Sequence, residues 1–112
     1  MSDRLLQVNS LIAQSLGEIF NESLELPTNL LATISRVETS ADLKTANVYI
    51  SVLPFAMTTE ALSHIIRQRK FIQRELGRKI KLKFTPVITY KPDDTEERVS
   101  HINRIIDEAN AS

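Results

Sequence analysis

The apolar residues of this chain alternate between two kinds of spacing, and that alternation decides what the chain can fold into. From Asp3 to about Glu25 they recur every three or four positions, which is typical of an amphipathic helix, and Pro27 then ends it. From Ala32 to Glu38 and from Thr45 to Leu53 they alternate with polar residues, which predicts two strands. The linking residues include serine and aspartate, so the strands are predicted to form an antiparallel hairpin.

The second stretch with helical spacing does not fit one continuous helix, because two of its residues would fall on the wrong side. One continuous helix from Thr59 to Lys79 would place Arg69 in the middle of the apolar arc and would turn Phe71 outward among the arginines. A kink or short break near residues 68–70 resets the phase and removes both conflicts. We therefore predict two helices joined by a bend.

Alternation of apolar and polar residues resumes at Ile80, which predicts a third strand. Phe84, Ile88 and Tyr90 would share its apolar face, and Phe84 is expected to lie in the core. A last helix is predicted after Asp93 or Asp94. The resulting order is α-β-β-α-(kink)-α-β-α, an α+β fold with its helices on one face of a three-stranded sheet. A crossover through two helices makes the second and third strands parallel if they are neighbours.

Length and composition limit the class of protein. At 112 residues the chain fits one domain, so residues 1–112 are expected to form a single unit. The chain has no cysteine, which excludes a disulfide scaffold and thiolate chemistry. It has no long apolar run and no cleavable leader, so we expect a cytoplasmic protein with no membrane contact. With no exposed coiled-coil pattern, a monomer is expected.

Charge is distributed very unevenly along the chain. Eight of the 14 basic residues lie between Arg67 and Lys83, and this basic block contains one acid, Glu75. The acids elsewhere cancel it, because the formal net charge is zero. A positive patch on an otherwise acidic protein attracts a polyanion at one place and repels it elsewhere, which makes nucleic acid the first hypothesis. The alternative is that the block is only a solvated helix face.

Two separate stretches of this sequence are distinctive. They read LATISRVETSADLKTANVYISVL at Leu31–Leu53 and FIQRELGRKIKLKFTPVITY at Phe71–Tyr90, and in this order they resemble bacterial ribosome-binding factor A. The resemblance extends from about Leu5 to Tyr90 and implies a type II KH-like fold. It also implies that the protein binds free or immature small (30S) ribosomal subunits and promotes late maturation and processing of 16S rRNA. One departure concerns the bend, where the family often has Ala-x-Gly and this chain has Gln68-Arg69-Lys70.

An ordinary KH domain holds single-stranded backbone with a GxxG loop, and this sequence contains no GxxG. Binding to rRNA is therefore expected to depend on side-chain charge. Lys70, Arg74 and Arg78 recur every four residues and would form one stripe on the second helix of the bent pair. The predicted rRNA-binding residues are Arg67, Arg69, Lys70, Arg74, Arg78, Lys81 and Lys83. Of the remaining basic residues in the block, Lys79 is expected to be merely solvated.

No arrangement of residues in this sequence suggests catalysis. His64 and His101 are isolated from one another, and neither a phosphate loop nor a dinucleotide-binding glycine motif occurs. We expect no enzyme activity, cofactor, metal or small-molecule substrate. Tyr49 lies on the polar face of its strand, where it could stack on a base or pack under a helix. The alternative function is a small protein-interaction module whose basic patch binds an acidic protein partner.

Overall fold

The computed structural model describes residues 3–93, and over that range the elements follow the predicted order. Helix α1 (Asp3–Glu22) precedes strands β1 (Leu31–Thr39) and β2 (Thr45–Leu53), and a short 3-10 turn (Phe55–Met57) leads into helices α2 (Thr58–Arg67) and α3 (Arg69–Lys79). Strand β3 (Val87–Pro92) comes last. The predicted C-terminal helix lies outside the described residues.

The three strands form one sheet in the order β1-β2-β3. β1 pairs antiparallel with β2, and β2 pairs parallel with β3 from Thr45 opposite Val87 to Ile50 opposite Pro92. The hairpin and the parallel crossover predicted from the sequence are both confirmed. The two helices α2 and α3 form the connection between the parallel strands, since parallel strands cannot be joined by a tight turn.

All three helices pack on one face of this sheet, as predicted. Along β2 the residues alternate in burial, and those facing the helices are Ala46, Val48, Ile50 and Val52. They meet the apolar sides of the helices, whose fully or almost fully buried residues are Ile12, Leu16, Ile19, Ala61, Ile65, Ile72 and Leu76. This shared core fixes the side of each helix that faces inward. The opposite side of each helix is therefore exposed in a defined direction.

The predicted bend between α2 and α3 is confirmed and lies at Gln68. Its backbone angles, φ −96° and ψ 10°, interrupt the helix for one residue and reset the phase. The Gln68 side chain pairs with the peptide group of Glu25, because its Oε1 accepts from the Glu25 N–H at 3.1 Å and its Nε2 donates to the Glu25 carbonyl at 2.8 Å. Nε2 also donates to the carbonyl oxygen of His64 at 3.0 Å. The bend is thereby fastened to the segment that follows α1.

Replacing Gln68 with alanine is expected to lower the free energy of unfolding by about 1–2 kcal/mol, because three side-chain hydrogen bonds are lost and two carbonyls lose their donor. Chemical denaturation followed by circular dichroism measures the change. Gln14→Ala is the matched control, since Gln14 is exposed on α1, and its effect should stay within about 0.5 kcal/mol. Equal stability of the two variants would show that the Gln68 amide does not hold the bend.

The predicted start of the third strand is wrong. β3 begins at Val87 and not at Ile80, and residues 80–86 form an irregular segment between α3 and β3. The parallel register explains the difference. Val87 lies opposite Thr45, the first residue of β2, so the residues before Val87 lie beyond the end of that strand and have no ladder partner. The alternation of apolar and polar residues at 80–85 therefore does not reflect strand pairing.

Phe84, predicted to lie in the core, is 74% exposed. The reason is the same, because a residue outside the sheet is not pressed against the helices by strand geometry. The apolar face predicted for Ile88 and Tyr90 is confirmed, and two other phenylalanines lie in the core or against it. Phe20 is buried, Phe71 is partly buried against the core, and Ile88 and Tyr90 still share the inward face of β3.

Candidate nucleic-acid interface

Lys70, Arg74 and Arg78 form one stripe along the solvent side of α3. A step of 100° per residue places them on the side of the helix away from the fully buried Ile72 and Leu76. All three side chains are exposed. We call these three residues the α3 stripe. Its direction follows from the core, because burial of Ile72 and Leu76 leaves the helix no other orientation.

The cations of the α3 stripe are largely free of acidic partners. Among the described residues, neither Lys70 nor Arg74 forms an ion pair or a side-chain hydrogen bond. Arg78 approaches Glu75 at 3.6 Å within the same helix, but the Arg78 side chain is 71% exposed. Ion pairs so open to solvent contribute little and are easily exchanged for another anion. The stripe is therefore available to a polyanion.

Arg67 and Arg69 stand on either side of the bend and are both exposed. Arg67 donates from Nη2 to the Ser63 hydroxyl at 3.0 Å, and Arg69 donates from Nη1 to the Ile66 carbonyl at 3.0 Å. Each guanidinium has five N–H donors, so most of its donors remain unused by these bonds. By helical phase Arg69 does not belong to the α3 stripe. The structure thus places these two cations at the bend and not on the stripe.

Lys81 and Lys83 lie in the irregular segment at residues 80–86 and are both exposed. The segment is held in place from two sides. Ile80 and Pro86 are buried at its ends, and Gln73 of α3 donates from Nε2 to the Pro86 carbonyl at 2.8 Å. The seven predicted residues therefore divide into three on the stripe, two at the bend and two on a braced segment.

Lys79 differs from the other cations of the basic block. Its Nζ lies 3.1 Å from Glu18 Oε2 on α1. This hydrogen bond to the Glu18 carboxylate raises the pKa of Lys79 above its ordinary value. Lys79 joins α3 to α1 and its charge is compensated. It was predicted to be solvated, and the structure instead assigns it an ion pair that no local pattern indicates.

The outer face of the sheet carries a second group of polar side chains. Tyr49 lies on this face, as predicted, and the Arg36 guanidinium sits 4.0 Å from the centre of its ring. The Tyr49 hydroxyl donates to Glu38 Oε2 at 3.4 Å, and Glu38 is also 3.8 Å from Arg36. Lys91 lies opposite Tyr49 on β3. Since Glu38 offsets Arg36, this face is less positive than α3.

Two cations outside the basic block were missed by reasoning from the sequence. Arg4 of α1 and Lys44 of the β1-β2 turn both line a groove with Lys83 and Phe84. These residues are far apart along the chain, and only the parallel register brings the turn beside the segment before β3. The one available signal was Pro86. Proline disfavours the interior of a strand, so Pro86 indicated that the third strand could begin after it and leave the preceding residues outside the sheet.

Two further features of the described residues concern metal binding and membrane insertion. Within residues 3–93, no three histidine, cysteine, aspartate or glutamate side chains cluster closely enough to hold a metal ion. No helix in that range is both long enough and apolar enough to cross a membrane. The acidic residues that follow Asp93 lie outside the described part of the chain.

Comparison with known proteins gives a consistent result. The family model described as "Ribosome-binding factor A" matches residues 4–106. A relative from Thioalkalivibrio sulfidiphilus with the same description is 35% identical over 107 residues, which cover 92% of this chain and 81% of the relative.

Solved structures show the same likeness in three dimensions. The crystal structure of ribosome-binding factor A from Thermus thermophilus matches with a TM-score of 0.70 and 23% identity, covering 79% of this chain and 93% of that one. A homology model of the Thermus thermophilus protein, fitted into a cryo-electron microscopy map of its complex with 30S, matches with a TM-score of 0.62 and 21% identity over 84% of this chain and 96% of that one. The fold of the described residues is KH-like.

Proposed function

The chain belongs to the ribosome-binding factor A family, and on that premise we propose that it binds the small ribosomal subunit through 16S rRNA. It binds free or immature subunits and promotes late maturation of their RNA without catalysing a reaction. The protein acts in the cytoplasm as a monomer and requires no cofactor. The likeness to a relative that was fitted into a map of a 30S complex supports the choice of partner.

The observation that carries this proposal is the α3 stripe. Three exposed cations on one side of a helix are spaced about 6 Å apart along its axis and are not neutralised by residues elsewhere in the described chain. The arginines offer planar forks of donors that suit phosphate oxygens, and the lysine offers a compact charge. Contacts of this kind position a protein on RNA without reading its sequence.

The surroundings of the stripe suit folded RNA better than a single extended strand. The chain has only two glycines and no GxxG, so its backbone amides cannot close on successive phosphates as in an ordinary KH domain. Arg67 and Arg69 add two exposed cations at the bend. Because the Gln68 bonds fix the bend, Arg67 on α2 is held at a set angle to α3 before RNA binds. Such a surface recognises the shape of a phosphate backbone.

Retention of one RNA conformation explains how a protein without catalytic groups can promote processing. A ligand shifts a conformational equilibrium only through its different affinities for the two states. The protein binds the immature arrangement of the RNA more tightly and so raises its population while the ends are processed. When the mature surface forms, the phosphates no longer match the α3 stripe and the protein leaves.

Sucrose gradients of cells with and without this protein test the proposal. We expect the protein to migrate with free small subunits, and we expect precursor 16S rRNA to accumulate in its absence. Digestion of the RNA in these fractions should release the protein. Migration with large subunits, or retention on one purified acidic protein after digestion, would contradict the proposal and favour the protein-interaction alternative.

A further inference from the structure

A groove of about 540 Å³ opens at the end of the molecule where the β1-β2 turn approaches the segment before β3. Its volume lies within the usual range for small-ligand sites. We call it the end groove, and its lining residues are Arg4, Asp42, Leu43, Lys44, Leu82, Lys83, Phe84 and Thr85. Cations and apolar side chains therefore line the same opening.

Phe84 is the most exposed large apolar residue of the described chain, at 74%. The backbone on both sides of it is anchored, because Ile80 and Pro86 are buried and Gln73 bonds the Pro86 carbonyl and the Ile88 N–H. Gly77 of α3 adds to this close packing, since a Cβ there would lie 3.3 Å from Thr85 Oγ1. The ring is thus presented to solvent by a braced segment, which reduces the entropy lost when a partner binds.

The charges around the end groove favour an anion. Arg4, Lys44 and Lys83 contribute three cations, and Asp42 is the only acid among the lining residues. Asp42 Oδ1 accepts from the Ser40 hydroxyl at 2.6 Å and from the Lys44 N–H at 3.0 Å. These two bonds lower the pKa of Asp42 and engage one of its oxygens in holding the turn. The net charge of the opening is positive.

The turn beside the groove holds a leucine in a conformation that normally favours glycine. Leu43 has φ 62°, in the left-handed region. Its side chain lines the groove and packs against the core. A strained residue of this kind persists only where the surrounding structure requires it. Here Leu43 contributes to the apolar part of the lining, together with Leu82 and Phe84.

We infer that the end groove binds one unpaired nucleotide of RNA, with its base stacked on the Phe84 ring and its phosphates beside Arg4, Lys44 and Lys83. An aromatic ring beside several cations is the arrangement by which proteins hold single-stranded nucleic acid. The Lys83 ammonium, 5.7 Å from the centre of the ring, stands where a phosphate next to a stacked base could reach it. An apolar peptide would gain nothing from the three cations. The inference rests on the proposed function and adds a single-stranded contact to the α3 stripe.

A tryptophan in place of Phe84 tests this inference directly, because the chain contains no tryptophan of its own. Phe84→Trp keeps a stacking surface, and its emission should be quenched in a saturable manner by a single-stranded oligouridine or oligoadenosine. A fully paired RNA of the same length should quench it much less. Two results would overturn the inference: equal quenching by the paired and the single-stranded RNA, or no quenching by the single-stranded oligonucleotides.

Phe84→Ala measures how much the ring contributes to binding. Affinity for the oligonucleotides should fall about 5- to 100-fold, as is found when a base loses its aromatic partner. Val87→Ala is the matched control, because Val87 is 61% exposed and close in sequence but does not line the groove. Its affinity should be unchanged. If both variants bind as tightly as the original chain, the groove does not stack a base.

Small-subunit binding separates this inference from the proposed function. If the unaltered chain does not sediment with small subunits, the proposed function fails whatever the oligonucleotides show. If it does sediment with them, while Phe84→Ala leaves both subunit and oligonucleotide binding unchanged, only the inference fails. The expected result is that Phe84→Ala weakens both and Phe84→Trp retains both.

Discussion

Replacing Lys70, Arg74 and Arg78 together with glutamine is expected to weaken binding to small ribosomal subunits on the order of a hundredfold near physiological salt. Each phosphate contact releases condensed counterions, so its loss costs affinity and also reduces the dependence of affinity on salt. The slope of log affinity against log salt should become shallower by roughly 2 to 3. Co-sedimentation at several salt concentrations measures both quantities in one series.

The matched control changes net charge by the same amount at another place. Gln7, Ser10 and Gln14 are exposed on α1, and changing all three to glutamate lowers the net charge as much as neutralising the α3 stripe. Its effect on affinity should be small, because only a long-range repulsion is added and salt screens it within about 10 Å. If the two variants lose affinity equally, total charge and not the α3 stripe determines binding.

Ile72→Ala is expected to lower the free energy of unfolding by about 2–5 kcal/mol, a large part of the stability of a small domain. Ile72 is fully buried and fixes the inward side of α3, so its loss leaves a cavity beneath the helix that carries the stripe. Chemical denaturation of the purified variant measures the change. The slope against denaturant should remain near that of the original chain if unfolding stays two-state.

Ile66→Ala is the control for this substitution. Ile66 precedes the bend on α2 and is 42% exposed, so the same change of residue should cost less than about 1 kcal/mol. The contrast tests the described packing of α2 and α3, because Ile72 faces the core and Ile66 does not. Equal losses for Ile66 and Ile72 would contradict the described packing of the two helices.

The sequence was sufficient for the parts of the fold that depend on local periodicity. The bend was predictable because a continuous helix would have buried Arg69. Burying a guanidinium that has no charged partner costs a large amount of free energy. The α3 stripe was predictable because residues four apart share a side of any helix. Both conclusions required only the geometry of a single element.

Features that depend on register between distant segments were not predictable. The start of β3 is set by where β2 begins, so Phe84 lies outside the sheet although its own neighbours alternate as in a strand. Likewise, Glu18 compensates the charge of Lys79, which is 61 residues away in sequence. Gln68 forms hydrogen bonds with the peptide group of Glu25, which is 43 residues away. These pairings follow from the packing of distant segments, and the spacing of residues along the chain carries no information about that packing.

Crosslinking of the protein to small subunits that contain 4-thiouridine tests the central claim most directly. A glutamate-specific protease would release the basic block as two peptides, residues 61–75 and 76–96, which mass spectrometry can separate from the rest. We expect nucleotide adducts on both peptides, with Lys70 and Arg74 in the first and Arg78 in the second. Adducts confined to peptides of α1, β1 or β2, with these two peptides unmodified in a complex that still sediments, would contradict binding through the α3 stripe.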